Sequence, residues 1–194
     1  IDIRDYIVQK YPLPDLRNQL KANPAINSLC KDEDGIFWFS QDRYGLCIYD
    51  SRKEKLKHYS QCQGTRNLPF GDVTNIARSY NHNWIWATSY GPTVFGLSQQ
   101  NMEMKEDVRI ELGNVTNNPG LITSLFEDPQ NNLWIGTTTG LFVYRIMSAT
   151  LESIPEVSGP VAGITQTADS RIWTVIRNKG IYRIEQDKGI ESYP

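Results

Sequence analysis

The stretch from Asn131 to Tyr144, NNLWIGTTTGLFVY, constrains the fold more than any other part of the chain. A polar turn leads into a strand centred on tryptophan, a second turn closes on Gly140, and an apolar, aromatic strand follows. That order is the signature of a β-hairpin. Weaker copies run from Gly35 to Tyr49 (GIFWFSQDRYGLCIY), from Asn83 to Leu97 (NWIWATSYGPTVFGL) and from Ser170 to Ile184 (SRIWTVIRNKGIYRI). The aligned tryptophans, Trp38, Trp86, Trp134 and Trp173, follow one another at 48, 48 and 39 residues. A period of roughly 40 to 50 residues, with several strands in each copy, is that of propeller blades.

The reading is therefore an all-β propeller of four blades, each a four-stranded antiparallel meander. The first module, 26–60, carries INSLC, IFWFS, LCIYD and LKHYS between turns, and three others occupy 73–112, 122–156 and 161–194. Residues 1–25 stand outside the repeats: DYIVQK (5–10) reads as a short strand and PDLRNQLK (14–21) as a helical turn, together the end of a preceding blade and its connection. Apolar runs such as IFWF and LFVY are expected where a sheet is covered on both faces. Trp38, Trp86, Trp134 and Trp173 are the expected plugs between blades, and Gly45, Gly140 and Gly180 close the turns between second and third strands.

Composition removes several function classes. The net charge is −2 with no basic block, so a phosphate backbone is not an expected partner of this segment. No apolar run approaches the ~18 to 20 residues that span a bilayer. Cys30, Cys47 and Cys62 show no CxxC spacing, and the first two fall in predicted strands as small hydrophobes. His58 and His82 are the only histidines and sit in different modules, without metal-ligand spacing. GxSxG, HExxH and phosphate-cradling glycine loops are absent from the sequence. No catalytic residue, metal or cofactor is therefore expected. DEDG at 32–35 resembles part of a calcium loop, but its counterparts SYNHN, DPQNN and TADSR read as ordinary turns.

The turns between second and third strands are the better site. In a propeller they gather at one end, which would place Asp42, Arg43, Tyr44, Tyr90, Thr139, Arg177, Asn178 and Lys179 on a common rim. Tyrosine faces beside Arg, Asp and Asn suit a sugar, whose C–H faces stack while its hydroxyls need fixed donors and acceptors. Lys and Arg would favour an acidic sugar.

The run N-x-L-W-I-G-T-x-x-G-L-x-x-Y, present as Asn132, Leu133, Trp134, Ile135, Gly136, Thr137, Gly140, Leu141 and Tyr144, resembles the regulator-propeller repeat. The second copy departs furthest, with Pro92 after its glycine and Ser89-Tyr90 in place of the threonine-rich turn. That family builds the periplasmic sensor regions of hybrid two-component systems of gut Bacteroidetes, which sense polysaccharide breakdown products. The resemblance implies an oligosaccharide or other small ligand, and an inner-membrane-anchored parent with a histidine kinase, a receiver and a DNA-binding output beyond this segment. The family's rings are usually seven-bladed, so four modules imply an arc whose ends meet the remaining blades or a second copy in a homodimer. Two other classes fit the same architecture: a propeller lyase or glycoside hydrolase, and a protein-docking scaffold.

Overall fold

A computed structural model describes residues 25–41, 45–59, 68, 71–100, 103–185 and 189–194. The strand expected at 5–10, the helical turn at 14–21, the rim residues Asp42, Arg43 and Tyr44, and Cys62 lie outside the described residues. Among the described residues sixteen strands form four antiparallel meanders. The first holds β1 (Ile26–Lys31), β2 (Ile36–Gln41), β3 (Gly45–Asp50) and β4 (Lys55–Tyr59), and the second β5 (Asn75–Arg78), β6 (Ile85–Thr88), β7 (Thr93–Gln100) and β8 (Glu103–Glu111). The third holds β9 (Ile122–Glu127), β10 (Asn132–Thr137), β11 (Gly140–Arg145) and β12 (Thr150–Ser158), and the fourth β13 (Val161–Gln166), β14 (Ile172–Ile176), β15 (Gly180–Glu185) and β16 (Gly189–Tyr193). First strands of successive sheets abut, β1 on β5, β5 on β9 and β9 on β13, which makes the sheets blades of a β-propeller. Among the described residues no contact of similar extent joins β13 to β1, so the blades form an arc open between the fourth and the first.

The pleat sends alternate side chains to opposite faces of a blade. Trp38, Leu46 and Ile48 of the first blade meet Ile85, Ala87 and Leu97 of the second. Trp86 and Val94 of the second meet Leu133, Ile135 and Phe142 of the third. Trp134, Leu141 and Val143 of the third meet Val161, Ile172 and Ile184 of the fourth. Each tryptophan thus faces the following blade, while its sequence neighbours face the preceding one. That is why Asn132–Thr137 is buried along its whole length and shows no polar alternation. Gly136 marks a close approach of blades, since a Cβ there would run into Ser124 and Val161.

In three of the four blades the indole is also held by a hydrogen bond that seals its blade's first turn. Trp38 Nε1 donates to Asp32 at 2.7 Å, Trp134 Nε1 to Asp128 at 2.8 Å and Trp173 Nε1 to the Thr167 hydroxyl at 3.2 Å. The acceptor stands six residues before the tryptophan in all three. Between them Gly35, Asn131 and Ser170 turn the chain with φ of 79, 63 and 64°. These are left-handed conformations that Gly and Asn tolerate best. The DEDG turn is therefore turn chemistry: Asp32 also accepts from the Ile36 N–H at 2.9 Å. The second blade has Tyr80 at the acceptor position, and Glu127 of the third blade takes over. Buried Glu127 accepts from the Trp86 indole, from the Ser79 hydroxyl at 3.0 Å and from the Tyr80 N–H at 3.0 Å, clasping the two blades together.

The turn glycines have separate causes. Gly45 and Gly180 take φ of 89 and 109°, and a Cβ on Gly180 would collide with the Tyr193 carbonyl. Gly140 lies outside the left-handed region; its side-chain position is closed by the Val157 carbonyl at 3.1 Å.

Cys47 is buried and Cys30 half-buried, and both are free thiols. Burial pushes each thiol up to about 12, with the Asp32 charge adding to the effect at Cys30 and Arg78 opposing it. The folded thiols keep protons that unfolded thiols have lost, so their contribution is complete below about pH 9 and is lost as pH rises toward about 12. Urea midpoints of the parent and Cys47→Ala, compared across that window, should show a shallower alkaline decline in the variant. Trp134→Ala should cost ~3 to 5 kcal/mol through the cavity it leaves. Glu127→Ala strands the buried Trp86 and Ser79 donors at ~1 to 3 kcal/mol each, together with the half-buried Tyr80 N–H. Either variant melting with the parent would contradict the packing described.

Candidate functional site

In a four-stranded meander the first and third turns share one end of the blade and the second turn lies at the other. The described rim residues expected from sequence, Tyr90, Thr139, Arg177, Asn178 and Lys179, therefore share one end. Segment 158–160 draws three of them together: the Gly159 N–H donates to the Thr139 carbonyl at 2.9 Å, the Arg177 N–H to the Pro160 carbonyl at 2.9 Å, and Lys179 Nζ to the Ser158 carbonyl at 2.9 Å. Lys179 also reaches the Ser158 hydroxyl at 3.0 Å. The Thr139 hydroxyl donates to the Pro119 carbonyl at 2.8 Å and lies 3.1 Å from the Thr137 hydroxyl. Two of the expected recognition groups thus act as loop anchors. Arg177 and Asn178 are exposed, and Asn178 turns the chain with φ of 62°. Tyr90 is exposed on the turn of the second blade.

Two concavities lie at the opposite end. Between the third and fourth blades is a cleft of ≈ 880 Å³, with Trp134, Ile154, Tyr182 and Ile190 on its walls. Its polar edge carries Gln130, Arg145, Asp169 and Arg171. Asp128 lines it too, but this buried carboxylate is committed to Trp134, to the Gln130 N–H at 2.9 Å and to Asn132. Arg171 pairs with Asp169 at 2.8 Å and Glu185 at 2.9 Å, and Arg145 with Glu152 at 3.4 Å. The Thr167 hydroxyl, with Arg171 nearby, holds the Asp169 carboxyl below the usual carboxylate range. Aromatic and aliphatic walls beside a fork of paired charges can take a ligand with both C–H faces and hydroxyls.

A second cleft of ≈ 460 Å³ lies between the first and second blades. There the Arg78 guanidinium pairs with Glu33 and lies 5.2 Å from the Tyr80 ring, while His82 stacks on Trp84 at 4.2 Å. His58 lies on β4 of the first blade across from Cys47, whereas His82 lies in the first turn of the second blade. Among the described residues no three His, Cys, Asp or Glu side chains gather as a metal-ligand set.

Sequence reasoning missed Tyr182, Arg145 and Arg171, because they meet only when two blades pack. It also missed the indole acceptors, for which a signal was present: Asp recurs six residues before tryptophan in the first and third modules.

Residues 118–139 match the family described as two component regulator propeller. The matched residues are β9, β10 and the turns that frame them, including Asp128 and Trp134. Among curated proteins none matches the sequence.

Solved structures with the same propeller architecture include the extracellular domains of BT3049 and BT4673, assigned to hybrid two component systems of B. thetaiotaomicron. The chain superposes on BT3049 with a TM-score of 0.65 at 15% identity, covering 89% of itself and 25% of that chain. For BT4673 the values are 0.66, 18%, 86% and 22%. Virginiamycin B lyase from Staphylococcus aureus gives 0.66 at 15% identity, covering 87% of this chain and 55% of the lyase. The chain thus spans about a quarter of the sensor domains and about half of the lyase, and at these identities the likeness is one of fold. Among the described residues no helix is long and apolar enough to cross a membrane.

The two kinds of rim residue should separate on mutation. Thr139→Val removes hydroxyl bonds that tie the turn to the preceding connection and should lower stability by ~1 to 3 kcal/mol in urea unfolding. Arg177→Ala and Asn178→Ala should stay within ~0.5 kcal/mol of the parent. The reverse order would mean that Thr139 is free for recognition.

Proposed function

We propose that this propeller segment recognises an oligosaccharide on the extracytoplasmic side of the membrane, as part of a periplasmic sensor of a hybrid two-component regulator. The carrying observation is the regulator-propeller repeat at 118–139, whose Trp134 and Asp128 both line the cleft between the third and fourth blades. In this reading Tyr182 and the neighbouring aliphatic side chains stack against sugar faces, and Arg145, Gln130 and Arg171 take the hydroxyls or an acid group. The exposed pair Arg177 and Asn178 at the other end is the second place for such a ligand. Recognition signals only if the ligand binds one arrangement of the receptor better than another, because equal affinity shifts no equilibrium. A cleft bounded by two blades meets that condition, since its width follows their packing. The kinase, phosphorelay and transcriptional output lie outside this segment, and its protein contacts are with further blades or a second copy.

The fold likeness to a lyase supports a second reading. A lyase or hydrolase would turn over the sugar that the sensor only binds.

Titration calorimetry of the chain against neutral and acidic oligosaccharides tests the proposal. We expect a ligand whose affinity falls about tenfold, ~1.4 kcal/mol, in Tyr182→Ala. Loss in Arg177→Ala with Tyr182→Ala unaffected would move the site to the rim. Product formation during the titration would favour the enzyme, and silence across the panel would contradict sugar recognition.

A further inference from the structure

The cleft between the third and fourth blades does not divide its charges evenly. Among the described residues it is lined by four carboxylates, Asp128, Glu156, Asp169 and Glu185, and by two guanidinium groups, Arg145 and Arg171. Both cations are already neutralised. Arg171 lies between Asp169 at 2.8 Å and Glu185 at 2.9 Å, and Arg145 faces Glu152 at 3.4 Å. Asp128 is committed as well, since it accepts from the Trp134 indole, from the Asn132 side-chain amide and from the Gln130 and Asn132 N–H groups. Glu156 is the remainder. It stands exposed on β12, two residues after the wall residue Ile154, and among the described residues no cation pairs with it.

A ligand anion entering this cleft meets two cations that already hold carboxylates, and it binds them only by displacing one and leaving that carboxylate uncompensated. A ligand cation displaces nothing. An ammonium group beside Glu156 completes the one open pair as a charge-assisted hydrogen bond, and the half-buried Tyr182 ring on the facing wall attracts the same charge. We infer that the cleft selects a basic ligand and, within the sugar reading on which this inference rests, an oligosaccharide carrying free amines, with Glu156 as the residue that sets the preference. The smaller cleft between the first and second blades also holds an exposed carboxylate, Asp34. Its aromatic faces are taken, however: the Arg78 guanidinium lies over Tyr80 at 5.2 Å and His82 stacks on Trp84 at 4.2 Å. Among the described residues no such cation lies over Tyr182.

The test is titration calorimetry of the chain with three tetrasaccharides: β-1,4-linked glucosamine, its N-acetylated counterpart and galacturonate. At about pH 6 the free amines are protonated and the carboxylates ionised. We expect the glucosamine tetramer to bind at least about tenfold more tightly than the acetylated one, with galacturonate weakest. That gap should close in Glu156→Gln, and in the parent at about 1 M salt, where the screening length falls to about 3 Å. The acetylated tetramer should bind the parent and Glu156→Gln alike, which a merely structural role for Glu156 would not produce. Equal affinity for the glucosamine and acetylated tetramers, or tightest binding of galacturonate, overturns the charge preference while leaving sugar recognition in place. A gap that survives Glu156→Gln, or that closes in Asp34→Asn, overturns the assignment to this cleft. Absence of binding by all three overturns both the preference and the sugar reading beneath it.

Discussion

The constraint on which the rest of this structure depends is the double duty of one indole per blade. In the first three blades its ring lies in the seam with the following blade, and in all four its N–H is spent on an acceptor in its own first turn or, for Trp86, on Glu127 of the neighbour. The apolar contribution comes from burying a large side chain, ~150 to 250 Å² for an aromatic of this class. The polar contribution fixes which way the ring faces, because a buried N–H without an acceptor costs more than the bond returns. Together they couple the shape of a turn to the angle between two sheets. A blade cannot rotate on its neighbour without uncovering the ring or breaking that bond.

Departures from the repeat show how this constraint is met by other means. Where the second blade offers Tyr80, the acceptor arrives from the third blade, and the substitution converts a bond within a blade into one across a junction. In the fourth, Thr167 replaces a carboxylate and relays to Asp169 at 2.5 Å, which brings a charge to the mouth of the cleft instead of burying it. The cleft between the third and fourth blades lies between the regular turn at Asp128 and this fourth-blade variant. Its inner wall is fixed by Asp128 and Trp134, and its outer wall by Arg171 with Glu185 on the blade that follows.

The architecture was legible because its determinants are local. Hairpin turns, tryptophan spacing and apolar runs each occupy a dozen residues or fewer, so the four meanders could be read directly, down to β16 at Gly189–Tyr193. The arc followed from the resemblance to a family of seven-bladed rings and not from the repeats themselves; Val175 and Ile181 lie exposed on the face it would leave open. The site was less legible. The sequence places Thr139 and Lys179 on a turn, but it does not show that their polar groups are drawn into the connections at 118–119 and 158–160. Nor does it show that Tyr182 and Arg145, on different blades, share a wall, since that follows from blade packing alone.

The most direct measurement is hydrogen exchange at the tryptophan indole N–H groups, followed by NMR and assigned by single substitution. The account predicts that the indoles of Trp38, Trp86 and Trp134 exchange only through global unfolding, while that of Trp173, whose face no following blade covers, exchanges through local fluctuation and much faster. Four indoles exchanging at one common rate would contradict it.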